Sequence, residues 1–259
     1  MNYQTLRVSQ QGPRTDIFLN RPEVRNAFND TLAQELAHAF ANLPQATRVV
    51  VLGGMGKVFC AGADLEWMKA SVNQTTEQNQ QGSRFTANMW QVIDTCPCVV
   101  IGRVQGAAMG GGLGLIACCD VVVASEDTKF AFSEVKLGLV PAVISPFVLA
   151  KISASQARRY FITGEFFTAN AAKAMELIHD VVSPDALDTT IETFAQTCLM
   201  NAPEAMRAAK VLIREVLGRA RPDALNYAVE VISKLRAGAE GQEGLAAFLE
   251  KRAPAWAKK

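Results

Sequence analysis

The chain has 259 residues, of which 49% are apolar and 20% charged, with a formal net charge of +1. That length allows one large domain, or a core domain with a helical appendage. A near-neutral balance with interspersed signs argues against broad nucleic-acid or membrane-surface binding, which usually needs a clustered basic footprint. No segment approaches the roughly 18 consecutive apolar residues of a membrane span. The stretch Met1–Arg7 has neither a secretory core nor a rich amphipathic transit-peptide pattern, so a cytoplasmic protein, or a processed organellar one, is expected.

In chain order, Thr5–Val8 and Arg14–Leu19 read as two short strands split by the Gln11-Gly12-Pro13 turn. Asn29-Asp30-Thr31 offers helix caps, and Leu32, Leu36, Phe40 and Leu43 follow at helical spacing. Arg48–Leu52 is a short β-branched run, hence a buried strand, and a Gly-rich loop follows from Gly53 to Gly62. The Gln- and Asn-heavy stretch Ala70–Gly82 reads as mobile, with a helix from there to about Thr95. Cys98–Val104 and Cys119–Val123 are strand-like and flank Gly106–Gly112. From about Ser145 the pattern is nearly all helical. Pro184, Pro203 and Pro222 stand near helix starts, and Gly164, Gly218 and Gly241 near ends. Strand pairs followed by helices predict an α/β core of repeated β-β-α units with a parallel sheet, then a helical C-terminal part.

Cysteine and histidine offer little chemistry. Cys118 and Cys119 lie in an apolar run and read as buried thiols. Cys96-Pro97-Cys98 is not a C-x-x-C, and the only histidines are His38 and His179, so no metal site is expected. His38 reads as a surface residue and His179 as the start of a strand. Core packing is the expected role of Trp67-Met68 and Phe166-Phe167, ahead of lining a pocket.

Two Gly-rich loops resemble nucleotide-binding motifs only superficially. Gly53-Gly54-Met55-Gly56-Lys57 has Val51 and Val58 where a phosphate-binding loop needs Gly and Ser or Thr. Gly110-Gly111-Gly112-Leu113-Gly114 lacks the G-x-G-x-x-G spacing of a dinucleotide fold. Such loops can instead present free backbone N–H groups at helix starts, where a pair aimed at one oxygen forms an oxyanion hole.

Taken together, several segments closely resemble the crotonase (enoyl-CoA hydratase/isomerase) superfamily. They are Asn20-Arg21-Pro22 with Asn26-Ala27-Phe28, Phe59–Leu65, Gln105–Gly112, Phe132–Pro141, and Glu243-Gly244 with Phe248–Arg252. The resemblance spans the chain in order. It implies a crotonase-like spiral of β-β-α repeats at 1–195, with a helical C-terminal oligomerisation region at 196–259. Homotrimers or dimers of trimers are implied as well. The substrate would be an acyl-CoA thioester, with no cofactor beyond the coenzyme A it carries.

By the matching motifs, the amides of Ala63 and Gly111 would hold the thioester oxygen and Glu134 would transfer protons. Glu134 lies between Phe132 and Val135, an apolar setting that raises a carboxyl pKa. Substrate contacts are implied for Arg25, Ala27, Ala61 and Leu65, and for Gly110, Gly114 and Pro141. Arg25 and Lys251 would meet coenzyme A phosphates. Asp64 falls in the same segment, and its own position reads as a helix cap before Leu65.

The sequence departs from the family pattern at one place. Standard hydratases hold water between two glutamates, and the first would stand at Gly114. Two enzymatic readings remain. One is a Δ3,Δ2-enoyl-CoA isomerase, which needs one carboxylate. The other is a hydratase for a branched substrate. Ser133–Phe147, Ala157–Tyr160 and Ala239–Gly244 are similar to bacterial methylglutaconyl-CoA hydratases of leucine degradation and to carboxygeranoyl-CoA hydratases. On the branched reading, a substrate carboxylate is expected to occupy the space left at Gly114, met by Lys69, Arg84 or Lys136. A non-catalytic acyl-CoA-binding or RNA-binding relative is the reading outside enzymology.

Overall fold

A computed structural model describes residues 3–257, so the outermost residues of the expected domains and of the N-terminal reading (1, 2, 258 and 259) lie outside it. The first half contains β1 (Leu6–Gln11), β2 (Arg14–Leu19), α1 (Asp30–Ala41), β3 (Val49–Gly54), α2 (Leu65–Ser71), α3 (Thr76–Asp94), β4 (Val99–Val104), β5 (Ala107–Met109), α4 (Gly111–Ala117), β6 (Val121–Ser125) and β7 (Lys129–Ala131). The second half contains α5 (Ser145–Leu149), α6 (Ala154–Thr163), β8 (Phe167–Thr168), α7 (Ala169–Ala174), β9 (Asp180–Val182), α8 (Leu187–Leu199), α9 (Pro203–Leu217), α10 (Arg221–Ala237) and α11 (Ala239–Leu249).

The main sheet runs β1-β2-β3-β4-β6-β9, parallel throughout except for the antiparallel β1 edge. A parallel sheet is covered on both faces, so its strands are apolar throughout. In β3, Val49 and Val51 pack toward Leu187, Ile191 and Ala195 of α8, while Val50 and Leu52 enter the main core with Leu36, Met89 and Ile93. That alternation is the period of two that every strand imposes. A second, smaller sheet runs β5-β7-β8, and the isolated parallel bridges Cys60–Ala108 and Phe28–Ala63 extend it. Each long strand therefore leads into a short one in the second sheet, and then into a helix. This is the β-β-α spiral.

Some local expectations change. Ala70–Gly82 is ordered as the end of α2 and the first turns of α3. The latter starts at Thr76 because Thr75 and Gln78 form a reciprocal capping box. Gly241 lies inside α11; α10 stops at Gly238 instead. His38 is half-buried, with its Nδ1 3.0 Å from the Tyr3 hydroxyl. His179 does sit at the start of β9, where its Nδ1 accepts the Val122 amide and its own amide donates to the Val122 carbonyl. Helix α8 runs through the expected 195/196 boundary as one piece. Among the described residues, no helix is long and apolar enough to cross a membrane.

Candidate active site

The loops that leave the parallel strands at their carboxyl ends build the site. After β3 the chain turns tightly: a side chain on Gly54 would place its Cβ 2.5 Å from the Phe59 carbonyl oxygen. Buried Asn26 pins this loop. Its Nδ2 donates to the carbonyls of Met55 and Val58 at 2.9 and 2.7 Å, and its Oδ1 accepts the Arg21 amide. Asn26 adopts a left-handed conformation (φ 56°), which asparagine tolerates better than most residues. The Asn20–Phe28 motif is thus the brace of the first signature loop.

Two hydrogen-bonded bridges place the signature loops side by side. The Cys60 amide donates to Ala107 and the Met109 amide to Cys60. One step further, the Phe28 amide donates to Gly62 and the Asp64 amide to Phe28. In a parallel bridge of this kind the middle residue turns its own N–H the other way. The Ala63 amide therefore has no backbone acceptor among the described residues. Gly111 opens α4, where first-turn amides are unpaired, and no acceptor faces its amide either. The loops are in close contact: a Cβ on Gly62 would lie 3.3 Å from the Met109 carbonyl oxygen, and one on Gly110 would lie 4.0 Å from Gly62 Cα. Gly110 and Gly62 both have positive φ, at 48° and 92°.

Glu134 begins the 3-10 turn after β7 and is tied to the second loop, because the Gly110 amide donates to Ala131. Its Oε1 would lie 3.2 Å from a Cβ on Gly110. Its Oε2 is fully buried with no hydrogen-bond partner among the described residues. Burial raises its pKa above the ordinary glutamate value. An unpartnered buried carboxylate beside unpaired amides costs stability, and such a cost is the mark of a site built for a ligand.

Asp64 takes the structural role that its position indicates. Its side chain accepts the amides of Glu66 and Trp67 at the start of α2, and it pairs with Arg21 at 2.7 Å. Burial alone would raise its pKa, but the Arg21 hydrogen bond and the two amides outweigh burial and lower it. Asp64→Ala is expected to destabilise the protein by about 1–2 kcal/mol in urea unfolding at pH 7. A lowered pKa stabilises above the unfolded value and is lost as pH falls through the folded one. The variant's deficit should therefore shrink at pH 3; an undiminished deficit would show that charge has no part in it.

Other expected site residues divide into two groups. Arg25 and Ala61 line a cleft of about 350 Å³ with Met109 and Ser133 of the same loops and with Phe166, which comes from the segment before β8. Ala27 and Pro141 are buried, and Leu65 is 71% exposed. Lys251 is not brought to the site within one chain. Its tail is tied through Arg48, which donates to the Trp256 carbonyl, to the end of β3 away from the loops. Trp67 is half-buried rather than core, and its Nε1 donates to Asp30 at 2.9 Å, joining α2 to α1. Of the phenylalanine pair, Phe167 is core, whereas Phe166 is exposed under the Lys136 ammonium.

The largest correction concerns Gly114. No space is left beside it. A Cβ there would lie 2.4 Å from Ile144 Cγ2 and 2.6 Å from Trp90 Nε1. A substrate carboxylate cannot simply take the place of a missing side chain. Trp90 and Ile144 are the site residues that reading the sequence missed. Trp90 sits at ordinary core spacing with Met89 and Ile93, so nothing in the pattern sets it apart.

Two amides without backbone acceptors and one buried carboxylate, on a spiral of β-β-α turns, make an arrangement suited to polarising a carbonyl and moving a proton next to it. The chain belongs to the enoyl-CoA hydratase/isomerase family, whose model matches residues 15–259. A putative enoyl-CoA hydratase of Thermus thermophilus is 31% identical, covering 95% of this chain and 98% of the relative. The 2,3-dehydroadipyl-CoA hydratase of Escherichia coli is also 31% identical, over 95% and 96% of the two chains. The crystal structure of an enoyl-CoA hydratase from Shewanella pealeana superposes with a TM-score of 0.95 at 37% identity, covering 98% and 96%. The protein is an enzyme of the enoyl-CoA hydratase/isomerase type.

Proposed function

We propose that the protein hydrates a branched, carboxylated enoyl-CoA, 3-methylglutaconyl-CoA, with Glu134 as its single acid/base. The observation that supports this is one buried, unpartnered carboxylate with a packed glycine where a second would stand. The amides of Ala63 and Gly111 hold the thioester oxygen as enolate charge develops. Glu134 takes a proton from water as the water oxygen bonds the β-carbon. The same carboxyl then returns that proton to the α-carbon, so one water is added in total. A relative acting on 2,3-dehydroadipyl-CoA, which also carries a second carboxyl, is consistent with this substrate class. Among the candidate cations Lys69 is tied to Glu66 and Lys136 lies over Phe166, whereas Arg84 has no partner among the described residues.

The test compares hydration of 3-methylglutaconyl-CoA, crotonyl-CoA and a 3-enoyl-CoA by the purified protein. Preference for the branched dicarboxyl thioester supports the reading, and preference for crotonyl-CoA rejects it. A single carboxylate also suits proton shuttling from the α- to the γ-carbon. Turnover confined to the 3-enoyl-CoA would therefore make the protein an isomerase. The exposed Leu217, Leu225, Phe248 and Leu249 on α9–α11 suit burial against further copies of the chain, which sedimentation would reveal as a trimer or hexamer.

A further inference from the structure

Two fully buried side-chain atoms at the site have no partner among the described residues, and they are of opposite kinds: the Glu134 Oε2 acceptor and the Trp90 Nε1–H donor. Trp90 is 5% exposed, and its ring lies along the first turn of α4. Its Cζ2 is 3.3 Å from a Cβ on Gly111, and its Nε1 2.6 Å from a Cβ on Gly114. Three residues advance a helix by about 4.5 Å. The indole N–H therefore stands one turn from the amide assigned to the thioester oxygen, and the β-carbon is only two bonds from the thioester carbon.

A buried N–H left without an acceptor costs about 1–3 kcal/mol, so native structures rarely keep one without a use. Phe28 packs beside the ring at a centroid distance of 5.8 Å, and the Trp90 carbonyl faces the Cys118 thiol. Neither contact uses the N–H. Hydration needs an oxygen near the β-carbon with one O–H on a base and a lone pair free to attack. Glu134 supplies the base. An N–H donating to the water's other lone pair supplies the second fixed contact without adding a second base.

We propose that the Trp90 indole N–H positions the attacking water, taking over the holding role that Gly114 leaves vacant, and so lets one carboxylate suffice. In the free protein the Ile144 γ-methyl lies 2.4 Å from the same Gly114 point and closes off the donor. Rotation of that aliphatic tip between staggered rotamers admits the oxygen. Trp90 is a positioning residue in this scheme; it touches water, and proton transfer remains with Glu134. The inference rests on the Glu134 role proposed above.

The experiment separates water attack from enolate chemistry. Exchange of the α-hydrogens of butyryl-CoA with deuterated solvent needs the amide pair and Glu134 but no water at the β-carbon. Hydration of crotonyl-CoA needs all three. Two variants are measured: Trp90→Phe, and position 90 carrying 3-benzothienylalanine, which keeps the bicyclic shape with sulfur in place of the N–H. Expected for both is a fall in hydration kcat of about 100-fold, with KM and α-exchange changed by no more than about twofold. Parallel loss of exchange and hydration would mean that Trp90 only packs. Wild-type hydration by the sulfur analogue, or loss confined to a carboxylated substrate, would also overturn the inference. Glu134→Gln run alongside keeps the two ideas apart. If that variant retained both reactions, the Glu134 role would fail whatever Trp90 did.

Discussion

Glu134→Gln is expected to lower hydration by about 10²–10⁴-fold while coenzyme A thioesters still bind. Glutamine keeps the shape of the side chain and removes only the capacity to take and return a proton, so the loss should appear in kcat. The wild-type pH profile should carry the same signature. The carboxylate form starts the reaction, so kcat/KM should rise as pH passes the Glu134 pKa, above the ordinary glutamate value because Oε2 is buried without a partner. Stability should move the other way. A pKa raised by folding means the native state binds the proton more tightly; its contribution is full below the unfolded value and lost as pH rises through the folded one. Above that pKa the wild type holds an ionised, buried carboxylate without a partner, and Glu134→Gln should melt at an equal or higher temperature. That advantage should shrink toward pH 4. A variant inactive and also less stable at pH 8 would mean that Glu134 is a structural residue.

Much of this architecture was legible in the residues because local chemistry and global fold agree. Val49–Leu52 alternates between two cores, and any run of β-branched residues between turn signals points to a buried strand. Asn29 caps α1 through the Leu32 amide, as its type and place indicate. In the Ala70–Gly82 segment the polar composition, read as mobile, hid where the next helix starts. The Thr75/Gln78 box is a stronger signal, and it starts α3 six residues before Gly82. Long-range placement was the harder part. Gly114 looks like an absence in sequence, an empty position where a carboxylate would stand. Only the packing of Ile144, thirty residues later in the chain, and of Trp90 from another helix shows that position to be filled. No periodicity links those three residues.

Gly114→Glu follows from that packing and is the second large effect. It is expected to create no second acid/base and to cost activity on crotonyl-CoA and 3-methylglutaconyl-CoA alike, by about 100-fold or more. The first side-chain atom alone would lie 2.4 Å from Ile144 Cγ2, 2.6 Å from Trp90 Nε1 and 2.9 Å from Trp90 Cε2. Ile144 can move its Cγ2 only by turning the β-branched side chain about χ1. The indole cannot give way, because its far edge packs on Gly111 and on Phe28. Overpacking of this kind costs about 1–3 kcal/mol and displaces α4, whose first amide is the one assigned to the thioester oxygen. Gly114→Ala should show a smaller form of the same defect in urea unfolding. Pairing Gly114→Glu with Ile144→Gly should recover part of the stability without restoring the rate, since Trp90 still blocks. If Gly114→Glu alone kept wild-type stability and hydrated crotonyl-CoA faster, the Trp90–Ile144 wall would be soft, and the single-carboxylate reading of this site would give way to one in which a second acid is merely absent.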